Sequence, residues 1–157
     1  LTDESVTGSF PADERKAIRN TIPETRVVAQ GKTSWHGDTV DLVDFILKNR
    51  PRLVLRPNED SSELLSTDGA RVDDSSWERA VRTALRFPFV VQERVESPPA
   101  PFALDYFGEL TYRDMIADVS PHFFLGKVHG FSARLSAPGG GFSSAAGLAP
   151  GLILEAK

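Results

Sequence analysis

LVLRPNEDSSELLSTDG, residues 53–69, decides how the chain is read. Arg52 to Arg56 is a strand with an apolar centre that ends on a cation, and Pro57 follows it. A strand that delivers a positive charge at its end can meet an anionic ligand, and the alternative is a surface pair of Arg56 with Glu59 or Asp60. The segment that follows is long and polar, from Pro57 to Val72, and carries Ser62-Glu63-Leu64-Leu65 where a phosphate cradle would carry glycines.

Working outward, the flanks read as helix and strand. Asp73, Asp74 and Ser75 open a helix in which Trp77, Ala80, Val81, Ala84 and Leu85 fall on one face, with Trp77 in the core. Phe87 to Val95 is a buried-looking strand, FPFVVQERV. Upstream, Pro11 to Ile22 reads as a helix with Asp13 and Glu14 at its positive end, and Thr25 to Gln30 as a short β-branched strand. Gly31 to Asp38 reads as a loop. Asp38 or Thr39 is expected to cap a second helix lined by Val40, Val43, Ile46 and Leu47, which Pro51 ends. Downstream, SPPAP at 97–101 is an extended break, and strands follow at 103–107, 110–118, 122–126, 128–136 and 151–155. Gly108, Gly126-Lys127 and the run Pro138-Gly139-Gly140-Gly141 mark the turns. Helices come first and antiparallel strands after, which gives an α+β class.

Composition narrows the function. A chain of 157 residues suffices for one core, and a net charge of −4 without basic clusters argues against nucleic acid and anionic membrane as partners. Absence of cysteine excludes thiolate catalysis and cysteine-ligated metals, and suits a cytoplasmic setting. No apolar run approaches a membrane span. His36, His122 and His129 are scattered without metal-ligand spacing, and Ser120 lacks the surroundings of a hydrolase nucleophile. Asp41 and Asp44 read as the polar side of a helix.

Three pieces in order, Leu53-Val54-Leu55-Arg56-Pro57, Val90-Val91-Gln92-Glu93-Arg94-Val95 and Lys127 to Ser136, resemble the ATP-grasp fold, and among its groups the circularly permuted one of the glutathionylspermidine-synthase-like and peptide-ligase-like proteins. The resemblance covers most of the chain and includes Ile22 to Val28, Val40 to Phe45, Trp77-Glu78-Arg79-Ala80 and Asp118-Val119-Ser120-Pro121. It implies one ATP-grasp-like domain over 1–157, a piece of a longer permuted protein: a helical lead-in at 1–50, the ATP strand, loop, helix and hinge at 51–96, and antiparallel strands at 102–157. It implies an α+β fold with a mainly antiparallel sheet and helices packed on one face.

The resemblance also implies a nucleotide site. Arg56 would stand where the family has a lysine at the α/β-phosphates. Gln92, Glu93 and Val95 would form the hinge under adenine, with the Glu93 C=O and the Val95 N–H on the base edge. Arg134 would reach the transferred phosphate. ATP and magnesium are the implied cofactors, and the chemistry is phosphoryl transfer that makes an acyl phosphate for an amine to attack.

Two departures matter. Leu64 and Leu65 obstruct the close backbone approach that glycines permit, and Glu63 sets a negative charge where a polyphosphate would lie. The acidic-x-asparagine element of the family is missing, and residues such as Phe142, Ser143 and Ser144 replace the asparagine expected after Arg134. The expectation is therefore a degenerate ATP-grasp-like domain with weak or no catalysis by this chain alone. The alternatives are an active nucleotide-binding part of a carboxylate–amine ligase completed by residues outside this chain, and an interaction module that docks a protein partner through 97–107, SPPAPFALDYF.

Overall fold

A computed structural model describes residues 2–59, 64–138 and 145–149. The chain divides into two compact units, Leu1–Val95 and Glu96–Lys157. The division falls just before the SPPAP break. All strand pairings among the described residues are antiparallel, and with four α-helices the class is mixed α+β.

The first unit begins with α1 (Glu4–Thr7) and α2 (Ala12–Thr21). Next come β1 (Thr25–Val27) and a hairpin, β2 (Lys32–Trp35) with β3 (Asp38–Asp41). The hairpin corrects the loop expected at 31–38 and the helix start expected at Asp38 or Thr39. Its two-residue turn holds His36 at φ 49° and Gly37 at φ 90°, the left-handed pair that matches strand twist. Asp41 is the cap that starts α3 (Leu42–Lys48), accepting a hydrogen bond from the Asp44 N–H at 3.3 Å.

After a 3₁₀ turn at Arg50–Arg52 come β4 (Leu53–Pro57), the two-residue β5 (Thr67–Asp68), a second 3₁₀ turn at Gly69–Arg71, α4 (Asp74–Ala84) and β6 (Phe89–Glu93). The sheet order is β1-β6-β4-β5. Leu53 and Leu55 of β4 and Phe89 and Val91 of β6 point to one face and are buried, and α3 and α4 cover that face with Ile46, Trp77, Val81 and Ala84. The Trp77 indole N–H donates to the Ile46 carbonyl at 3.1 Å, which ties the two helices together.

Residues 69–74, before and at the start of α4, are held by charge and by one close approach. The Arg50 guanidinium donates to the carbonyls of Gly69 (2.6 Å) and Val72 and pairs with Asp74 at 2.8 Å. Gly69 sits so close to the backbone that a Cβ there would lie 2.0 Å from the Arg50 carbonyl oxygen. No side chain fits at that position.

The second unit is one sheet, ordered β10-β9-β8-β7: β7 (Ala100–Tyr106), β8 (Glu109–Phe124), β9 (Lys127–Ser136) and β10 (Ala145–Ala149). The strands expected at 110–118 and 122–126 are one strand that passes through Pro121. β7 pairs with Glu109 to Met115, so among the described residues β8 has a neighbour on one side at Pro121 and tolerates a missing N–H there. The strand expected at 151–155 and the glycine run at 139–141 lie outside the described residues. No helix among the described residues is long and apolar enough to cross a membrane.

Candidate functional site

Alternation along β4 and β6 sorts the candidate residues by face. Arg56 is in register with Val90, and Val90 with Val27 of β1. One row along, Thr25, Gln92, Val54 and Asp68 lie straight across the four strands. These two rows form the face turned away from α3 and α4. None of the residues in them is buried, and Val27 is 69% exposed.

On this face the structure brings Arg56 and Gln92 together. The Arg56 guanidinium reaches diagonally to the Gln92 side-chain oxygen at 3.5 Å, and the Gln92 amide donates to the Thr25 hydroxyl at 3.0 Å. The Thr25 hydroxyl in turn donates to the Pro23 carbonyl at 2.8 Å. Gln92 is thereby fixed from both sides, and among the described residues Arg56 meets this neutral amide and no carboxylate. At the β5 edge Asp68 is held by Arg94 (3.2 Å) and Arg71 (3.3 Å) and by the Ala70 N–H at 3.0 Å. Sequence reading assigned no site role to Thr25, Val27, Val54, Asp68 or Val90. Their signal is the alternation L-V-L-R-P, which puts Val54 beside Arg56 once the pairing partner of β4 is known.

Glu93 goes the other way. It is in register with Leu53, on the helix-covered side, and its carboxylate meets His36 Nε2 at 3.2 Å. The His36 N–H also donates to Glu24 at 3.3 Å, and Glu24 pairs at 2.6 Å with the buried Arg26. Glu93, His36, Trp35, Phe45 and Arg52 help line a cleft of about 200 Å³ on that side. The Glu93 N–H is taken up by the Glu24 carbonyl and the Arg94 N–H by the Arg52 carbonyl, both at 2.8 Å, because β6 is a central strand. Val95 lies beyond the end of β6 with its side chain 65% exposed.

Arg134 belongs to β9 of the second unit, directly across from Asp118 of β8. Of the stretch that replaces the glycine loop, Leu64 packs against the hydrophobic core and Leu65 is 74% exposed, while Ser62 and Glu63 lie outside the described residues. Phe142, Ser143 and Ser144 also lie outside them. No group of three or more His, Asp or Glu among the described residues is arranged to hold a metal ion. Among the described residues, two carboxyls are held below their ordinary range: Asp3, chiefly by the Ser5 hydroxyl and N–H, and Asp73, chiefly by the Ser76 N–H. Asp3 precedes α1 and Asp73 caps α4, so neither lies in the two rows. Comparison of the chain with family models and with curated proteins finds no match in either.

Proposed function

We propose that the first unit is an ATP-grasp-like module derived from an ATP-dependent carboxylate–amine ligase, in which the uncovered sheet face takes an adenine nucleotide weakly and this chain alone carries out little or no phosphoryl transfer. The observation that carries the reading is the placement of Arg56 and Gln92 on one face with Val27, Val54 and Val90, while the helix-packed residues occupy the other. Three valines in adjacent strands offer a flat apolar surface to a base. The Arg56 fork offers paired N–H donors and a fixed charge to phosphate oxygens. Gln92 is held in place between Thr25 and Arg56, so it presents its amide without a large ordering cost.

Weak binding follows from what succeeds the strand. Leu64 is committed to the core, where a glycine loop would have to lift its backbone around the phosphates. Gln92 also competes with a phosphate for the Arg56 guanidinium. No step is assigned to magnesium.

Isothermal titration with Mg-ATP tests the reading. The wild-type chain should bind with a dissociation constant of about 1 mM, near −4 kcal/mol, and Arg56→Ala should weaken it at least about tenfold. No ATP hydrolysis above the uncatalysed background should accompany it. Absence of heat from the wild type, or equal affinity in the variant, would remove the nucleotide site from this face.

A further inference from the structure

The second unit carries a surface that the nucleotide reading does not use. Along β8 and β9 the side chains alternate between two unlike faces. One face presents Val119, Pro121 and Phe123 from β8 and Val128 and Phe131 from β9, in register as Pro121–Phe131 and Phe123–Val128. His129 is the extra residue of a bulge in β9, so the alternation of β8 runs through undisturbed. The opposite face holds the charges, with Asp118 across from Arg134 and Lys127 across from Phe124.

The apolar face is buried at one end only. Met115, Ala133 and Leu135 are covered, whereas Val119 is 56%, Val128 47% and Phe123 68% exposed further along. An antiparallel sheet is stable with one face in water, but the face left in water is then normally the polar one. The turn that ends the hairpin adds a second sign of use. It holds Leu125 at φ 49° and 86% exposed, in the left-handed region where asparagine or glycine is at ease and leucine is strained. A strained apolar residue at the tip of an apolar strand pair fits a contact surface better than a solvent loop.

We propose that this face is a self-association surface, on which a second copy of the chain lays its own β8–β9 hairpin across a two-fold axis. The stripe from Met115 to Phe123 contains no ionisable side chain on this face, so two copies meet there without opposing like charges although each chain carries a net −4. An antiparallel strand pair is also self-complementary: a half-turn brings the same apolar stripe against itself, and side chains interdigitate between sheets about 10 Å apart. Each copy can contribute roughly 500 Å² of exposed aliphatic and aromatic surface, which gives a total of roughly 1,000 Å², at the lower bound for a specific interface. The dimer is accordingly weak and concentration-dependent.

Sedimentation velocity of the full chain over a concentration series tests this, with two variants at adjacent positions of nearly equal exposure. Phe123 (68% exposed) is on the apolar face, and Phe124 (66%) is on the other, edge-on to the His129 ring at 6.0 Å. The wild type should dimerise, Phe123→Glu should raise the dissociation constant about tenfold or more, and Phe124→Glu should leave it within a factor of about two. Val128→Glu, on the Phe123 face, should act as Phe123→Glu does, which guards against a misfolded variant. A wild type that stays monomeric up to about 1 mM overturns the proposal. So does a dimer that ignores Phe123→Glu, or one that both phenylalanine variants weaken equally.

Discussion

The two units contain the same kind of strand and treat its apolar side differently. In the first, Leu53, Leu55, Phe89 and Val91 alternate with Val54, Arg56, Val90 and Gln92, and two helices in the same unit cover the leucine side. In the second, Met115, Ala117, Val119, Pro121 and Phe123 of β8 fall on one face, no helix belongs to the unit among its described residues, and Met115, Ala133 and Leu135 are its buried hydrophobics. The pattern within a strand thus fixes which face is apolar, while supply of a covering layer decides whether that face becomes a core or a surface. In the first unit the uncovered face is the mixed one that holds the cation.

The comparison breaks most sharply under core truncation. Leu55→Ala removes a side chain that is 0% exposed and should destabilise the first unit by about 2–5 kcal/mol. Trp35 and Trp77, the two tryptophans of the chain, are both buried in that unit, so urea unfolding followed by tryptophan fluorescence reports on it alone. Val119→Ala in the second unit should leave that transition within about 0.5 kcal/mol of wild type. A large shift from Val119→Ala would mean that the units do not unfold independently.

A smaller effect is expected where the first unit is closed by backbone contact. In Gly69→Ala the new methyl would meet the Arg50 and Leu53 carbonyl oxygens at 2.0 and 2.9 Å, and neither can swing aside as a side chain would. A loss of about 1–3 kcal/mol in the same fluorescence assay is the expected outcome. Wild-type stability would show that the 3₁₀ turns at 50–52 and 69–71 are not packed together.

Much of the first unit is legible in the sequence because its elements announce themselves locally. Trp77, Val81 and Ala84 recur at helical spacing behind Asp73, and they form the buried stripe of α4. The hairpin at 32–41 is not legible in the same way. Its strands are four residues long and largely polar, and His36 occupies a left-handed turn position where asparagine would have signalled it. The order in residues 64–72 depends on Arg50 reaching Gly69 and Val72, contacts separated by 19 and 22 positions, which no window reveals. In the candidate site, Arg56 stands out as a strand-end cation, but its neighbour Gln92 is 36 positions away and follows only from the pairing of β4 with β6. Alternation by itself separates Gln92 from Glu93, since neighbours in a strand face opposite ways.

The smallest expected effect sharpens the account at the start of α4. Hydrogen bonds from the Ser76 N–H first, then the Ser76 and Ser75 hydroxyls, hold the Asp73 carboxyl below its ordinary value. A carboxyl lowered in the folded state adds stability that is complete above the unfolded value of about 3.9 and disappears as pH falls through the folded one. Asp73→Asn should therefore lower the urea midpoint slightly at pH 6–7, and the difference should close as the pH is taken below about 4. A gap that stays constant down to the acid limit would assign the cap to geometry rather than charge.

The proposal that the uncovered face of the first sheet, and not the helix-covered one, takes the nucleotide is tested most directly by nuclear magnetic resonance of the labelled chain titrated with Mg-ATP. The methyl signals of Val27, Val54 and Val90 and the side-chain amide of Gln92 should shift together, while Trp35, Phe45 and Asn49 around the cleft on the helix side stay in place. Shifts centred on Trp35 and Phe45, with the three valines unmoved, would contradict the account.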